Sequence, residues 1–350
     1  MAKRKGLLAL AGATAATAAA IAAQRAAINR RRRNDPEAST EFGSRRGERT
    51  RTLDLPDGAR IFVEEVGPDS KRGAIFIHGS VLRTDVWHYQ MEGLGEHRLV
   101  FADLRGHGQS TPKGSAAYEI DTLADDLLAV IDDAGLEETV IVGHSVGGMV
   151  GLTLCRNRPD LLGDRVKGLV LVNSTYGPVT ETLIGSGVIG RIERVTRRPF
   201  DALGKQHQRI EQLRKLIRPS DAIFWGVALG AFGPKASPAH IDFAYTMLSE
   251  TPIEVIFDLV RSYRGFDMTD HLDEITVPTL VIGGDHDRIT LPKASRYLAE
   301  HLPKSDLHVF PDTGHMSMLE RHEEFNELVT NFLDDTLGAT RKRGRITTKT

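Results

Sequence analysis

Apolar positions recur along this chain in two periods. Short runs rich in Val, Ile and Leu predict β-strands at 61–66, 74–78, 98–102, 139–142, 168–172, 279–283 and 307–310. Between them the apolar residues fall three and four apart, which predicts helices over 119–133, 147–157, 292–301 and 322–336. In the last of these, Phe325, Leu328, Val329 and Phe332 line one helical face. Such alternation predicts the α/β class, a mostly parallel sheet with helices on both faces. Ligands of such sheets sit beyond the carboxyl ends of the strands, so the residues just after each strand are the ones to inspect for chemistry.

The alternation stops between about 174 and 266. That stretch is helix-like, broken by Pro178, Pro199, Pro219, Pro234, Pro238 and Pro252, with apolar positions such as Ile223, Phe224, Trp225, Val227 and Leu229. A long helical insertion between sheet strands predicts a cap over the site. The expected organisation is therefore a first core part at 51–173, a helical cap at 174–266 and a second core part at 267–337. Residues 34–50 are polar and rich in turn formers, and are expected to form a flexible linker. No internal repeat is evident.

Charge changes the picture at the two ends. The net charge is −2 over 350 residues, but residues 1–33 carry eight basic and no acidic side chains, and 338–350 carry five basic and none acidic. The body from 34 to 337 is thus strongly acidic, which argues against nucleic acid as a partner, since a phosphate groove needs positive charge on the folded surface. The tail at 338–350 is expected to be disordered. Residues 6–24 are uncharged and mostly Ala and Leu. As a helix they would reach roughly 28 Å, just short of a hydrocarbon core of ~30 Å. This run reads as a signal-anchor, a helix lying on a membrane surface, a cleaved signal peptide, or an Ala-rich helix only loosely attached. The Arg cluster at 30–33 resists translocation. The expectation is a membrane-associated protein with its body on the cytoplasmic side, an exported or a cytoplasmic protein being the alternatives.

The segment Val140-Ile141-Val142-Gly143-His144-Ser145-Val146-Gly147-Gly148 runs from a strand through Gly-x-Ser-x-Gly into a helix. A serine hydroxyl is a weak nucleophile and must be presented at a fixed angle to a base. A sharp strand-to-helix turn does this, and its crowding demands small neighbours, here Gly143 and Gly147. The following helix points free amides at the reacting group, where they favour developing negative charge. Ser145 is the candidate nucleophile. Cys155, ten residues on, reads as a small buried apolar residue.

With three further motifs, residues 52–337 resemble the α/β-hydrolase superfamily. His78-Gly79-Ser80 is similar to its oxyanion loop, and Asp103-Leu104-Arg105-Gly106-His107-Gly108-Gln109-Ser110 to a characteristic loop after the next strand. Gly284-Asp285-His286-Asp287 and Thr313-Gly314-His315 resemble the acid and histidine loops, in the family's order of Ser, acid, His. The resemblance implies a triad of Ser145, Asp287 and His315, with the amides of Ser80 and Val146 as oxyanion donors; Val81 replaces Ser80 if the loop is cut one residue later. Asp285 competes with Asp287, but the Gly-x-x-Asp spacing favours Asp287. The position after the sixth strand, where some members carry the acid, reads Asn173-Ser174. His78 and His144 are expected to be structural.

No metal-ligand spacing and no nucleotide-binding loop is evident, so no cofactor and no metal are expected. A serine nucleophile excludes the superfamily's dehalogenase and epoxide hydrolase chemistries, which use an aspartate there. The expected partner is a small-molecule ester, carboxylic and hydrophobic or lipid-like. Thioester, lactone and carbon–carbon bond hydrolysis, perhydrolysis and acyl transfer remain open on the same triad, as does a non-catalytic scaffold. The oligomeric state is not legible.

Overall fold

The computed structural model describes residues 26, 28–111, 118–177, 206 and 221–338. Its centre is one eight-stranded sheet in the order β1-β2-β4-β3-β5-β6-β7-β8. The strands are β1 (Arg49–Asp54), β2 (Arg60–Val66), β3 (Arg72–Ile77), β4 (Arg98–Ala102), β5 (Glu138–His144), β6 (Val166–Val172), β7 (Thr279–Gly284) and β8 (Ser305–Phe310). β2 runs antiparallel to β1 and β4, and every other neighbouring pair is parallel. All seven expected strands are present, most extended by one or two residues, and the one expected at 74–78 begins at Arg72 and ends at Ile77. β1 is an addition: its sequence Arg-Thr-Arg-Thr-Leu-Asp is mostly exposed at the sheet edge, so it lacks the apolar signature of the others.

Helices follow the strands: α1 (His88–Gly93), α2 (Ile120–Asp133) and α3 (Val146–Asn157) before β6, then α4 (Asp221–Ala231), α5 (Pro238–Glu250) and α6 (Ile253–Ser262) between β6 and β7. α7 (Pro292–His301) joins β7 to β8, and α8 (Ser317–Glu320) and α9 (His322–Leu337) complete the described chain. α2 buries Ile120, Leu123, Ala124, Leu127, Val130 and Ile131, the spacing that turns one face inward. Successive strand residues point to opposite faces. In β5, Ile141 joins the apolar cluster under α2, α3, α6 and α7, whereas Val140 and Val142 join the one under α1, α4, α5 and α9. The core is therefore two apolar layers separated by the sheet.

The stretch read as a tether runs along the body. Asp35 Oδ2 accepts from Ser237 Oγ (2.9 Å) and from the Ala239 amide (2.8 Å), at the first turn of α5. Phe42 stacks on Phe243 with ring centroids 4.9 Å apart. Arg46 pairs with buried Asp85.

The membrane expectation is overturned. Among the described residues no helix is long and apolar enough to cross a membrane. The basic flank instead meets protein: Arg31 donates to the Ala236 carbonyl (2.9 Å), Arg32 pairs with Asp242 (2.7 Å) and lies over the Phe224 ring, and Ile28 is buried. Residues 6–24, 178–205, 207–220 and 339–350 lie outside the described residues, and with them most of the apolar run, part of the expected cap and nearly all of the tail.

Candidate active site

β5 ends at His144 and α3 begins at Val146, leaving Ser145 alone to turn the chain. It does so with φ 52° and ψ −116°, a strained conformation that L-residues seldom adopt. Two close approaches allow the turn. A Cβ on Gly143 would lie 2.4 Å from the Gly147 carbonyl, and one on Gly147 would lie 2.2 Å from the Ile77 carbonyl oxygen. The Ser145 amide donates to Val172 O (2.9 Å) and Ser174 Oγ donates to Ser145 O (2.7 Å), so the end of β6 holds the turn.

His315 and Asp287 come from the loops after β8 and β7. His315 Nδ1 donates to Asp287 Oδ2 at 2.9 Å. Asn173 Nδ2 donates to the same oxygen at 2.8 Å, while Oδ1 accepts from the amides of Ile289 (2.8 Å) and Thr290 (3.0 Å). Burial of Asp287 opposes its charge. The His315 charge and the hydrogen bonds from His315, Asn173 and Thr290 outweigh burial and hold the carboxyl below the usual carboxylate range. Asp285 has a different setting: it is well exposed and bonds its neighbour His286. The structure thus brings Asp287, not Asp285, to His315.

Three buried histidines nearby bond to the backbone of neighbouring loops. His78 Nδ1 donates to Gly79 O (2.7 Å) and its Nε2 accepts from the Leu104 amide (2.9 Å), joining the loops after β3 and β4. Burial keeps it neutral, far below the usual imidazole range. His144 is held down to about 3, by burial first and then by neighbouring His315, and donates from Nε2 to His315 O (2.9 Å). His107 Nε2 accepts from the Val81 amide (3.2 Å). That contact occupies Val81 as a donor, whereas no hydrogen bond among the described residues uses the amides of Ser80 or Val146. Arg105 clamps the same region through paired bonds to Asp126 (2.9 and 2.7 Å). Asp103 accepts the amides of Thr84 (2.8 Å) and Gln109 (2.7 Å).

Ser145, His315, Ser80 and Val146 all border one cavity of about 620 Å³, to whose lining α4, α5 and α6 contribute. Its remaining wall is largely apolar, with Val227, Ala244, Leu248, Val260 and Ile289 among its members, and no Lys, Arg, Asp or Glu of the described residues lines it. A smaller cavity, about 250 Å³, lies beside Arg46, Arg83, Asp85 and Glu250, whose charges pair with one another. No group of three or more His, Cys, Asp or Glu side chains among the described residues is arranged to hold a metal ion.

Several participants were not foreseen. Asn173, noted only as lacking a carboxylate, ties Asp287 to Ser317 and to the Gly314 carbonyl. Glu320 accepts the amides of Gly314 (2.9 Å) and Gly233 (2.8 Å), stitching the histidine loop to the cap, where the His315 amide also donates to Ala231 O (2.7 Å). Tyr263, just after α6, hydrogen-bonds Ser80. These contacts join loops far apart in the chain and leave no local pattern.

Residues 74–328 match the sequence profile of the Alpha/beta hydrolase family. The chain is 29% identical over 277 residues to the AB hydrolase superfamily protein YisY of Bacillus subtilis, covering 78% of this chain and 94% of that one. It is equally 29% identical, over 289 residues, to the non-heme chloroperoxidase CPO-A1 of Kitasatospora aureofaciens, covering 79% and 97%. Among solved structures it is similar to Est816, described as an N-acyl homoserine lactone degrading enzyme, at 26% identity and a TM-score of 0.62, covering 81% of this chain and all of that one. An esterase from Thermogutta terrifontis shares the fold at 23% identity and a TM-score of 0.65, covering 82% and 99%.

Proposed function

Because the chain belongs to the alpha/beta hydrolase family and is a hydrolytic enzyme, we propose that it cleaves a hydrophobic carboxylic ester through an acyl-enzyme on Ser145. His315 Nε2 takes the Ser145 proton as Oγ attacks the carbonyl carbon, then delivers it to the departing alcohol. Asp287 fixes the imidazole tautomer through Nδ1 and stabilises the imidazolium. The Ser80 and Val146 amides receive the oxyanion, assisted by the amino end of α3. Water then repeats the sequence in reverse and releases the acid. The observation that carries this reading is the His315–Asp287 hydrogen bond at 2.9 Å, with His315 and the strained Ser145 on one cavity wall. The hydrophobic substrate class is supported by the uncharged lining of that cavity. A lactone is the second reading, favoured by the likeness to Est816.

The test is intact-mass labelling with a fluorophosphonate. One adduct on the wild type and none on Ser145→Ala is expected; an unlabelled wild type refutes the assignment. Hydrolysis of alkyl esters against lactones of matched size then separates the two substrate readings.

A further inference from the structure

Within the otherwise apolar cavity, polar groups are few, and most are committed. Thr290 Oγ1 bonds Asn173 O and Asp287 (both 2.8 Å), and His144 bonds the His315 carbonyl. Two groups are not accounted for in this way. The Tyr263 hydroxyl, carried on the cap, hydrogen-bonds Ser80 Oγ, and both residues border the cavity. Thr175, 2% exposed, borders the same cavity, and its Oγ1 has no hydrogen-bond partner among the described residues.

The pair of hydroxyls leaves a proton over. Each hydroxyl carries one hydrogen, and their mutual bond uses one of the two. The other has no acceptor among the bonds of Ser80 and Tyr263. Burial pushes the Tyr263 pKa upward, so the phenol stays protonated and keeps its donor. A buried donor without an acceptor is unfavourable, and so is the bare Thr175 hydroxyl; both are relieved when a ligand brings oxygen to them. Ser80 also supplies one of the proposed oxyanion amides, so its side chain lies within a residue's breadth of the reacting carbonyl.

Building on the Ser145 reading, we infer that Tyr263, with Ser80 and Thr175, forms a specificity subsite for a second oxygen placed a few bonds from the scissile carbonyl. The preferred substrates are then oxygenated esters, such as 3-oxo or 3-hydroxy acyl esters, rather than plain alkyl esters. Tyr263 donates to that oxygen while accepting from Ser80, and the apolar wall takes the rest of the chain.

The experiment compares kcat/KM on ethyl 3-oxobutanoate and ethyl butanoate for the wild type, Tyr263→Phe and Thr175→Val, both replacements keeping size and shape. Taking the ratio of the two esters, and following its change on mutation, cancels their different intrinsic reactivity. Loss of one neutral hydrogen bond lowers that ratio by roughly three- to tenfold in Tyr263→Phe, chiefly through KM, with a fall in the same direction in Thr175→Val. An equal loss on both esters, seen mainly in kcat, would mean that Tyr263 only steadies the oxyanion loop and overturns the inference. An unchanged ratio, or no turnover of either ester, overturns it as well. Fluorophosphonate labelling of the same proteins keeps the two claims apart: a labelled Ser145 with an unchanged ratio defeats the subsite alone, and an unlabelled wild type defeats both.

Discussion

Asp285 and Asp287 sit two residues apart and experience opposite surroundings. One is exposed beside His286, and the other is buried under four donors and bonded to His315. Asp287→Asn is accordingly expected to lower kcat by roughly 10,000-fold by inverting the imidazole tautomer. Asp285→Asn should change it by less than about threefold, as exposed substitutions do; steady-state ester hydrolysis checks both. Glu320 is the other residue whose setting has a measurable consequence. Burial pushes its carboxyl from 4.5 up to about 7, against the hydrogen bonds from Gly233, Gly314 and Met316. Between those two values the folded chain holds a proton that the unfolded chain has lost. Stability therefore declines as pH rises through that window and levels off beyond it, by on the order of 3 kcal/mol for this group. Glu320→Gln isolates this contribution: the wild-type-minus-variant difference in urea-unfolding free energy should fall as pH rises from about 4.5 to 7, while Asp103, which burial also raises to about 7, and the neutral buried imidazoles of His78, His107 and His144, which act in the opposite sense, cancel between the two proteins. Residue identity was most legible where chemistry imposes a local motif. Ser145 stands in a Gly-x-Ser-x-Gly turn, and His315 follows a strand within Thr-Gly-His. Asn173, Glu320 and Tyr263 act across loops 28 to 183 residues from Ser145 or Ser80 in sequence, and only folding reveals them.

At the scale of elements, the segment before β1 behaves as a strap. It reaches the amino end of α5 through Asp35, the α5 face through Phe42 and the short turn before α1 through Arg46 and Asp85. The strap thus ties α5 to the rest of the body, and if α4 to α6 act as a cap it braces that cap against the core. Asp35→Ala removes an accepted amide at a helix start and should cost about 1 kcal/mol. Phe42→Ala, which strips the central ring from a five-member cluster, should cost roughly 2 kcal/mol or more. Together they should make 221–262 the first region cut in limited proteolysis. If cleavage there is no faster than in the wild type, the strap does not hold the cap. The strap was read as a tether because its sequence is polar and turn-rich. Its few anchors, Asp35, Phe42 and Arg46, are spaced without helical or strand period, so pattern alone could not distinguish a loop that docks from one that does not.

Across the whole molecule, the two-layered core explains why the strands were so readily found. A strand buried on both faces is an unbroken apolar run, as in Ala74-Ile75-Phe76-Ile77, and such runs cannot be mistaken for loops. The same burial encloses Cys155, whose thiol is pushed up to about 12. Its reaction with a disulfide reagent should be negligible in the native protein and should track global unfolding in urea, so that rapid native labelling would contradict the packing of α3. The strap carries a consequence of a different kind. Arg31 and Asp35 bind partners 202 to 205 residues further along the chain. During synthesis at about 5–20 residues per second, those partners emerge on the order of 10–40 s after the strap itself. For that interval Phe42 has only His88 and Tyr89 of its ring partners beside it, so a segment made early is among the last to complete its contacts.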